Sequence, residues 1–177
     1  MSRPLKIPVF LQPKTKPYCG LACIKMVASF FGKEFSLGEL IARIPSASRG
    51  VDMCSIGTFL MNLGFESRVF INMRVVSVKT PFYKYAIRFF IKQGGLLIPR
   101  AIKISDIRKA LARGYPIILF INNEKNYGHY VVIKNVGKKM ITVNCPDDGL
   151  KIFGIKRLIA ACRDWGGGAI IVRPNRK

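Results

Sequence analysis

The sequence predicts an α+β fold in which helices come first and an antiparallel sheet follows. Three observations carry this. Apolar residues between positions 19 and 63 recur at helical spacing. The second half holds three apolar runs of strand length joined by short turns. Half of the 177 residues are hydrophobic, enough for one domain spanning 1–177 with a substantial core. With 11% aromatics the composition also excludes wholesale disorder.

Residues 1–18 contain Pro4, Pro8, Pro13 and Pro17 and read as an extended entry segment. From Cys19 the spacing is helical: Ala22, Met26 and Phe30 form one line, Cys23, Val27 and Phe31 the next, and Gly32 is the stop. A second helix opens at Ser36, which makes a capping box with Glu39. It carries Leu37, Leu40, Ile41 and Ile44 and ends at Pro45. A third, Ser55 to Leu63, buries Ile56, Phe59 and Leu60 and closes at Gly64. Strand character begins in ESRVFIN, within Phe65 to Asn72. The stretch 73–104 leaves two readings open, because FYKYAIRFFIKQGG suits either a helix or the edge of a sheet. A short helix follows at Ser105 to Arg113, ending at Gly114. PIILFIN, YVVIKN and MITVN then read as three buried strands, the last two joined by a turn at Gly137-Lys138-Lys139. A helix around Ile155 to Cys162 and the strand AIIVR finish the chain.

Charge is the strongest compositional feature: 30 Lys and Arg against 9 Asp and Glu, a formal net +21. Such a field attracts polyanions. The basic residues are spread along the chain and no nucleic-acid motif accompanies them. The partners this supports are an acidic peptide or protein substrate and non-specific contact with nucleic acid. No apolar run reaches the ~18 residues of a membrane span, and the start MSRPLKIPVFLQPK lacks the apolar centre of a signal peptide. A cytoplasmic protein is the expectation. Five cysteines (Cys19, Cys23, Cys54, Cys145 and Cys162) make an odd set without a secretory signal, which argues against a disulfide framework. Cys19 and Cys23 share a helix face but lack two further ligands for zinc, so no metal and no cofactor is expected. Asp147-Asp148-Gly149 reads as a turn, and Gly166-Gly167-Gly168 precedes no Lys-Ser pair of a phosphate-binding loop.

Cys19 lies just before the first amphipathic helix and is followed by Gly20. A helix N-terminus favours the thiolate, the nucleophilic form, and a glycine lets substrate approach the backbone. The plainer reading of Cys19 is a small buried residue. His129 is the sole histidine and stands at the mouth of the run YVVI, anchored on a strand yet open to solvent; its plainer reading is a surface loop residue. Together the two suit Cys–His catalysis, in which imidazole activates the thiol and then protonates the leaving group.

These residues also carry a family resemblance. YCGLACIKMVASFFG, with SLGEL after it, resembles the nucleophile helix of papain-like cysteine peptidases of the bacteriocin-processing (double-glycine leader) family. GYPIILFIN, GHYVVIKNV and ITVNCPDDG resemble that family's later blocks in the same order. The similarity runs from Gln12 to Gly149, with 73–104 unlike the family. It implies a papain-like fold whose nucleophile helix packs on an antiparallel sheet. It also implies Cys19 as nucleophile, His129 as general base, and Gln12 as a donor to the oxyanion together with the Cys19 N–H. The family's third residue is an Asp before a proline. Here Cys145 precedes Pro146, so Asp147 is the preferred orienter of the imidazole and Asn144 the alternative. Strand alternation lets Asn144 reach His129 only through a bulge or a frayed strand end. The resemblance implies a thiol peptidase, or a related amide hydrolase or acyl transferase. The family cuts after a Gly-Gly leader and is often fused to a membrane exporter, for which no spanning segment is seen here. Two other readings stand beside it. One is a catalytically impaired domain of the same fold, suggested by the missing Asp. The other is a basic nucleic-acid-binding protein using Arg88, Lys92, Arg100 and Arg108.

Overall fold

The computed structural model describes residues 4–44, 50–73, 81–122, 128–163 and 166–175. Six helices and seven strands occur among them, in the order α1 (Cys19–Phe30), α2 (Leu37–Arg43), α3 (Met53–Asn62), β1 (Phe65–Phe70), α4 (Pro81–Lys92), β2 (Leu96–Ile98), α5 (Ile104–Ala112), β3 (Ile117–Asn122), β4 (Gly128–Val136), β5 (Met140–Cys145), β6 (Gly149–Gly154), α6 (Ile155–Arg163) and β7 (Ala169–Pro174). Pro45, the expected end of α2, lies outside the described residues.

Local chemistry sets most of these boundaries. The box at α2 forms as expected: the Glu39 N–H donates to Ser36 Oγ at 3.2 Å and the Ser36 N–H to the Glu39 carboxylate at 2.7 Å. α3 starts two residues earlier than the spacing suggested, because Asp52 caps it. Its Oδ1 accepts from the N–H groups of Cys54 and Ser55 at 2.9 and 3.0 Å. The ambiguous stretch resolves into helix α4, which buries Ala86, Ile87 and Phe90 and exposes Phe82, Tyr85, Phe89 and Ile91.

The strands form one sheet in the order β2-β1-β7-β3-β4-β5-β6. β7, last in sequence, lies between β1 and β3 and is antiparallel to both. The sheet departs from the expected purely antiparallel form at one edge, where β2 pairs parallel to β1. The α4 crossover between them makes parallel pairing possible. The other departure is β6, which the sequence did not signal. It pairs with β5 from Cys145↔Gly149 to Met140↔Gly154, yet Leu150 and Ile152 face solvent, so its apolar residues lie outside the usual inward alternation. α1 packs on β4, α3 on β1, and α6 on β3.

Gly57 shows how tightly α3 sits. A Cβ there would lie 2.7 Å from Cε2 of the fully buried Phe90 and 3.2 Å from Val69 Cγ2. An alanine in mid-helix ordinarily gains about 1 kcal/mol over glycine. Here the clash reverses the sign: Gly57→Ala is expected to destabilise by roughly 1–3 kcal/mol, read as a lower midpoint of urea unfolding.

Candidate active site

Cys19 is the first residue of α1 and is half-buried. Gly20 lets the helix start seat against β4: a Cβ on it would stand 3.2 Å from Ile56 Cδ1 and 3.4 Å from the Tyr130 ring. The β4–β5 ladder closes with Val132↔Asn144. Beyond it the backbone N–H groups of Tyr130, Gly20 and Cys19 itself lie close enough to the Cys19 sulfur to favour its thiolate. The helix start therefore presents its sulfur to the residue next to His129.

The thiolate expected there is not the resting form. Burial pushes the Cys19 thiol above its ordinary value; the three N–H groups pull it down by less, and the Asp147 charge adds to the rise. His129 is likewise not open to solvent. It is 5% exposed, and burial holds its imidazole below the ordinary value against the pull of Asp147 and Asp148. Both shifts favour the neutral thiol and the neutral imidazole near pH 7. No hydrogen bond joins Cys19 to His129 among the described residues.

On β4 the side chains alternate. Tyr130 lies under α1, while His129 and Val131 face the α6 side with Ile121 and Cys145. There His129 Nε2 stands 3.5 Å from Cys145 Sγ and 3.8 Å from Asp147 Oδ2. The Gln12 amide donates to Asp147 Oδ1, and the Gln12 N–H to Pro146 O at 2.9 Å. Asp148 pairs with Lys151 at 2.5 Å. A cavity of about 560 Å³ opens on this cluster, lined also by Lys14, Asn122, Phe153, Arg157 and Leu158. Cys19 is not part of its lining.

The structure thus gathers Gln12, His129 and Asp147 at the cavity, while Cys19, at the start of α1, lies outside that lining. Asn144 is not brought to His129. It is fully buried, and its Nδ2 donates to the carbonyls of Ile7 and Pro8 at 3.0 and 3.1 Å, fixing the entry segment that carries Gln12. A bulge is present, between Ile133 and Asn135, and it decides the matter in the opposite sense to that expected. A regular hairpin would turn position 144 to the face of His129; the extra residue, Lys134, turns Cys145 there instead. The Lys134 carbonyl accepts the Leu5 N–H at 3.0 Å, so the entry segment also occupies the bulge. Cys145 as the nearest group to His129 Nε2, and the cavity's Lys14 and Arg157, were not read as site residues from sequence.

A family model described as the peptidase C39 family matches residues 6–93, reaching into the stretch that looked unlike that family. No curated protein matches the chain. Among solved structures, the peptidase domain of Streptococcus ComA, a bifunctional ABC transporter of a quorum-sensing pathway, is similar with a TM-score of 0.64 at 20% identity, over 94% of this chain and 97% of that one. A double-glycine-motif protease from an AMS/PCAT transporter, in complex with the leader peptide, gives 0.61 at 19%, over 97% and 94%. A C39-like peptidase from Bacillus anthracis gives 0.69 at 13%, over the full length of both. The fold is the papain-like α+β class. No helix among the described residues is long and apolar enough to cross a membrane.

Proposed function

The chain belongs to the peptidase C39 family as a cysteine peptidase-like hydrolase, and from that premise we propose that Cys19 is its nucleophile, His129 its general base and Asp147 the orienter of the imidazole. The observation that supports the assignment is the place of Cys19 at the head of α1, which packs on β4, the strand that carries the only histidine. His129 turns Nε2 to Asp147 and Cys145, which leaves Nδ1 as the atom to serve the thiol.

With both groups neutral at rest, proton transfer accompanies attack. Cys19 sulfur bonds to the scissile carbonyl carbon as its proton passes to Nδ1. The resulting oxyanion is held by the Cys19 N–H and by Gln12, whose amide nitrogen has a second hydrogen beyond the one given to Asp147. Collapse breaks the C–N bond, and His129 returns the proton to the leaving amine. A water deprotonated by His129 then hydrolyses the thioester and restores the thiol. Catalytic hydrogen bonds are often long without substrate and tighten in the complex.

The substrate class we propose is an acidic leader peptide ending in Gly-Gly. A similar structure is of a double-glycine-motif protease with its leader peptide, and the net +21 of this chain favours acidic peptides. The test is mass spectrometry of such a peptide after incubation with the protein, with and without iodoacetamide. Cleavage after the glycines that alkylation abolishes is the expected result. Cleavage indifferent to alkylation would reject the thiol mechanism.

The pH profile follows from the buried histidine. His129 must be neutral to accept a proton, and burial lowers its pKa. The acid limb of kcat/KM is therefore expected below the ordinary imidazole value of ~6.5. Since burial raises the thiol pKa, alkylation of Cys19 should keep accelerating above neutral pH instead of levelling off.

A further inference from the structure

We propose that His129 Nε2, Cys145 Sγ and Asp147 Oδ2 form a binding site for a divalent transition-metal ion, best suited to zinc, and that the ion switches the peptidase off. One ligand atom from each of the three residues lies within 4.8 Å of the other two. Tetrahedral zinc, with bonds of about 2.3 Å to sulfur and 2.0–2.2 Å to nitrogen and oxygen, needs its S and N ligands about 3.6 Å apart and N and O about 3.4 Å apart. The structure has 3.5 Å and 3.8 Å before any adjustment. An imidazole, a thiolate and a carboxylate are the donor types that zinc takes, and the thiolate disfavours magnesium and calcium.

The surroundings suit an ion as well. Two negative ligands neutralise its charge once Cys145 has released its proton to solvent. The Gln12 amide holds Asp147 Oδ1, so that the carboxylate presents Oδ2 to the site, as an outer hydrogen bond does for metal-bound carboxylates. The cavity of about 560 Å³ supplies an entry path and room for a water as fourth ligand. The protein is thus able to bind an ion at His129 Nε2, the ring nitrogen that the mechanism does not assign to the Cys19 thiol.

Silencing rests on the reading of His129 as general base. An ion on Nε2 fixes the ring's one remaining proton on Nδ1, and that nitrogen then cannot accept the proton of Cys19. No change in the position of Cys19 is required. Zinc and hydrolysis compete for the two ends of one ring.

Cobalt(II) is the probe, added to the full chain carrying Cys19→Ala so that the nucleophile contributes no ligand. One cobalt per chain is expected, with a sulfur-to-cobalt charge-transfer band in the near ultraviolet that zinc abolishes by displacement. Adding Cys145→Ser should remove that band and weaken binding at least about tenfold. Asp147→Asn, at an exposed carboxylate that tolerates replacement, should keep the band and weaken binding. In the parent protein zinc should block peptide cleavage, and a chelator should restore it. A band that survives Cys145→Ser, or the lack of saturable binding at millimolar cobalt, would overturn the site. Binding through Cys145 with cleavage unaffected by zinc would overturn the switch. Binding through Cys145 in a protein that cleaves no peptide would uphold the metal site while rejecting the peptidase reading.

Discussion

Replacing Cys19 by alanine is expected to lower kcat/KM for peptide cleavage by about 10⁵-fold or more, because removing the nucleophile of a covalent mechanism costs nearly all the chemistry. The fold should not follow. Cys19 is half-buried at the open end of α1, so its loss leaves no large cavity, and unfolding stability should change by less than about 1 kcal/mol. Cys23, one turn along the same helix, is the matched control. It is fully buried, and burial pushes its thiol well above the ordinary value, so it is inert as a nucleophile. Cys23→Ala should lose stability and keep its kcat/KM within a few-fold. The two variants therefore exchange effects, one losing catalysis and the other packing. Circular dichroism melts beside single-turnover cleavage of a Gly-Gly peptide measure both. A Cys19→Ala protein that still cleaves at a tenth of the parent rate would remove Cys19 from the mechanism.

What could be read in the sequence were the features whose causes are local. Ser36 and Glu39 lie three residues apart and specify the start of α2 between themselves. Cys19 at the head of an amphipathic helix, with a lone histidine opening a strand, likewise needs only the period of the pattern. The protonation states were not legible, since burial of the thiol and imidazole depends on how α1 closes over β4 and α6 over the neighbouring β3. β6 was hidden because Leu150 and Ile152 point to solvent. The face occupied by Asn144 depended on one residue. Lys134 bulges where the entry segment donates its Leu5 N–H, a contact between positions 129 residues apart that no window on the sequence contains. That bulge placed Cys145, not Asn144, against His129 and so made the site a mixed thiol and carboxylate cluster.

That cluster makes the second large effect a test of which group orients the imidazole. Asp147 Oδ2 is 3.8 Å from Nε2, within reach of charge but beyond a good hydrogen bond, whereas Cys145 Sγ is nearer at 3.5 Å and is a weak donor. If the Asp147 charge sets the tautomer, Asp147→Asn should lower kcat/KM by roughly 10²-fold. That is less than the ~10⁴ lost when a well-bonded triad carboxylate is neutralised, since the present contact is longer. Cys145→Asp in that background should regain most of the loss, because it moves a carboxylate onto the face and register that already contact Nε2. A closer anion also stabilises the imidazolium, so the acid limb of the rescued enzyme should move to higher pH than in the parent. Steady-state kinetics of the parent, the two single variants and the double variant across pH provide the measurement. If Asp147→Asn stays within about threefold of the parent, Asp147 has no part in orienting His129. If Cys145→Asp alone then accelerates the enzyme, the cysteine before Pro146 is what holds this chain below the rate its fold allows.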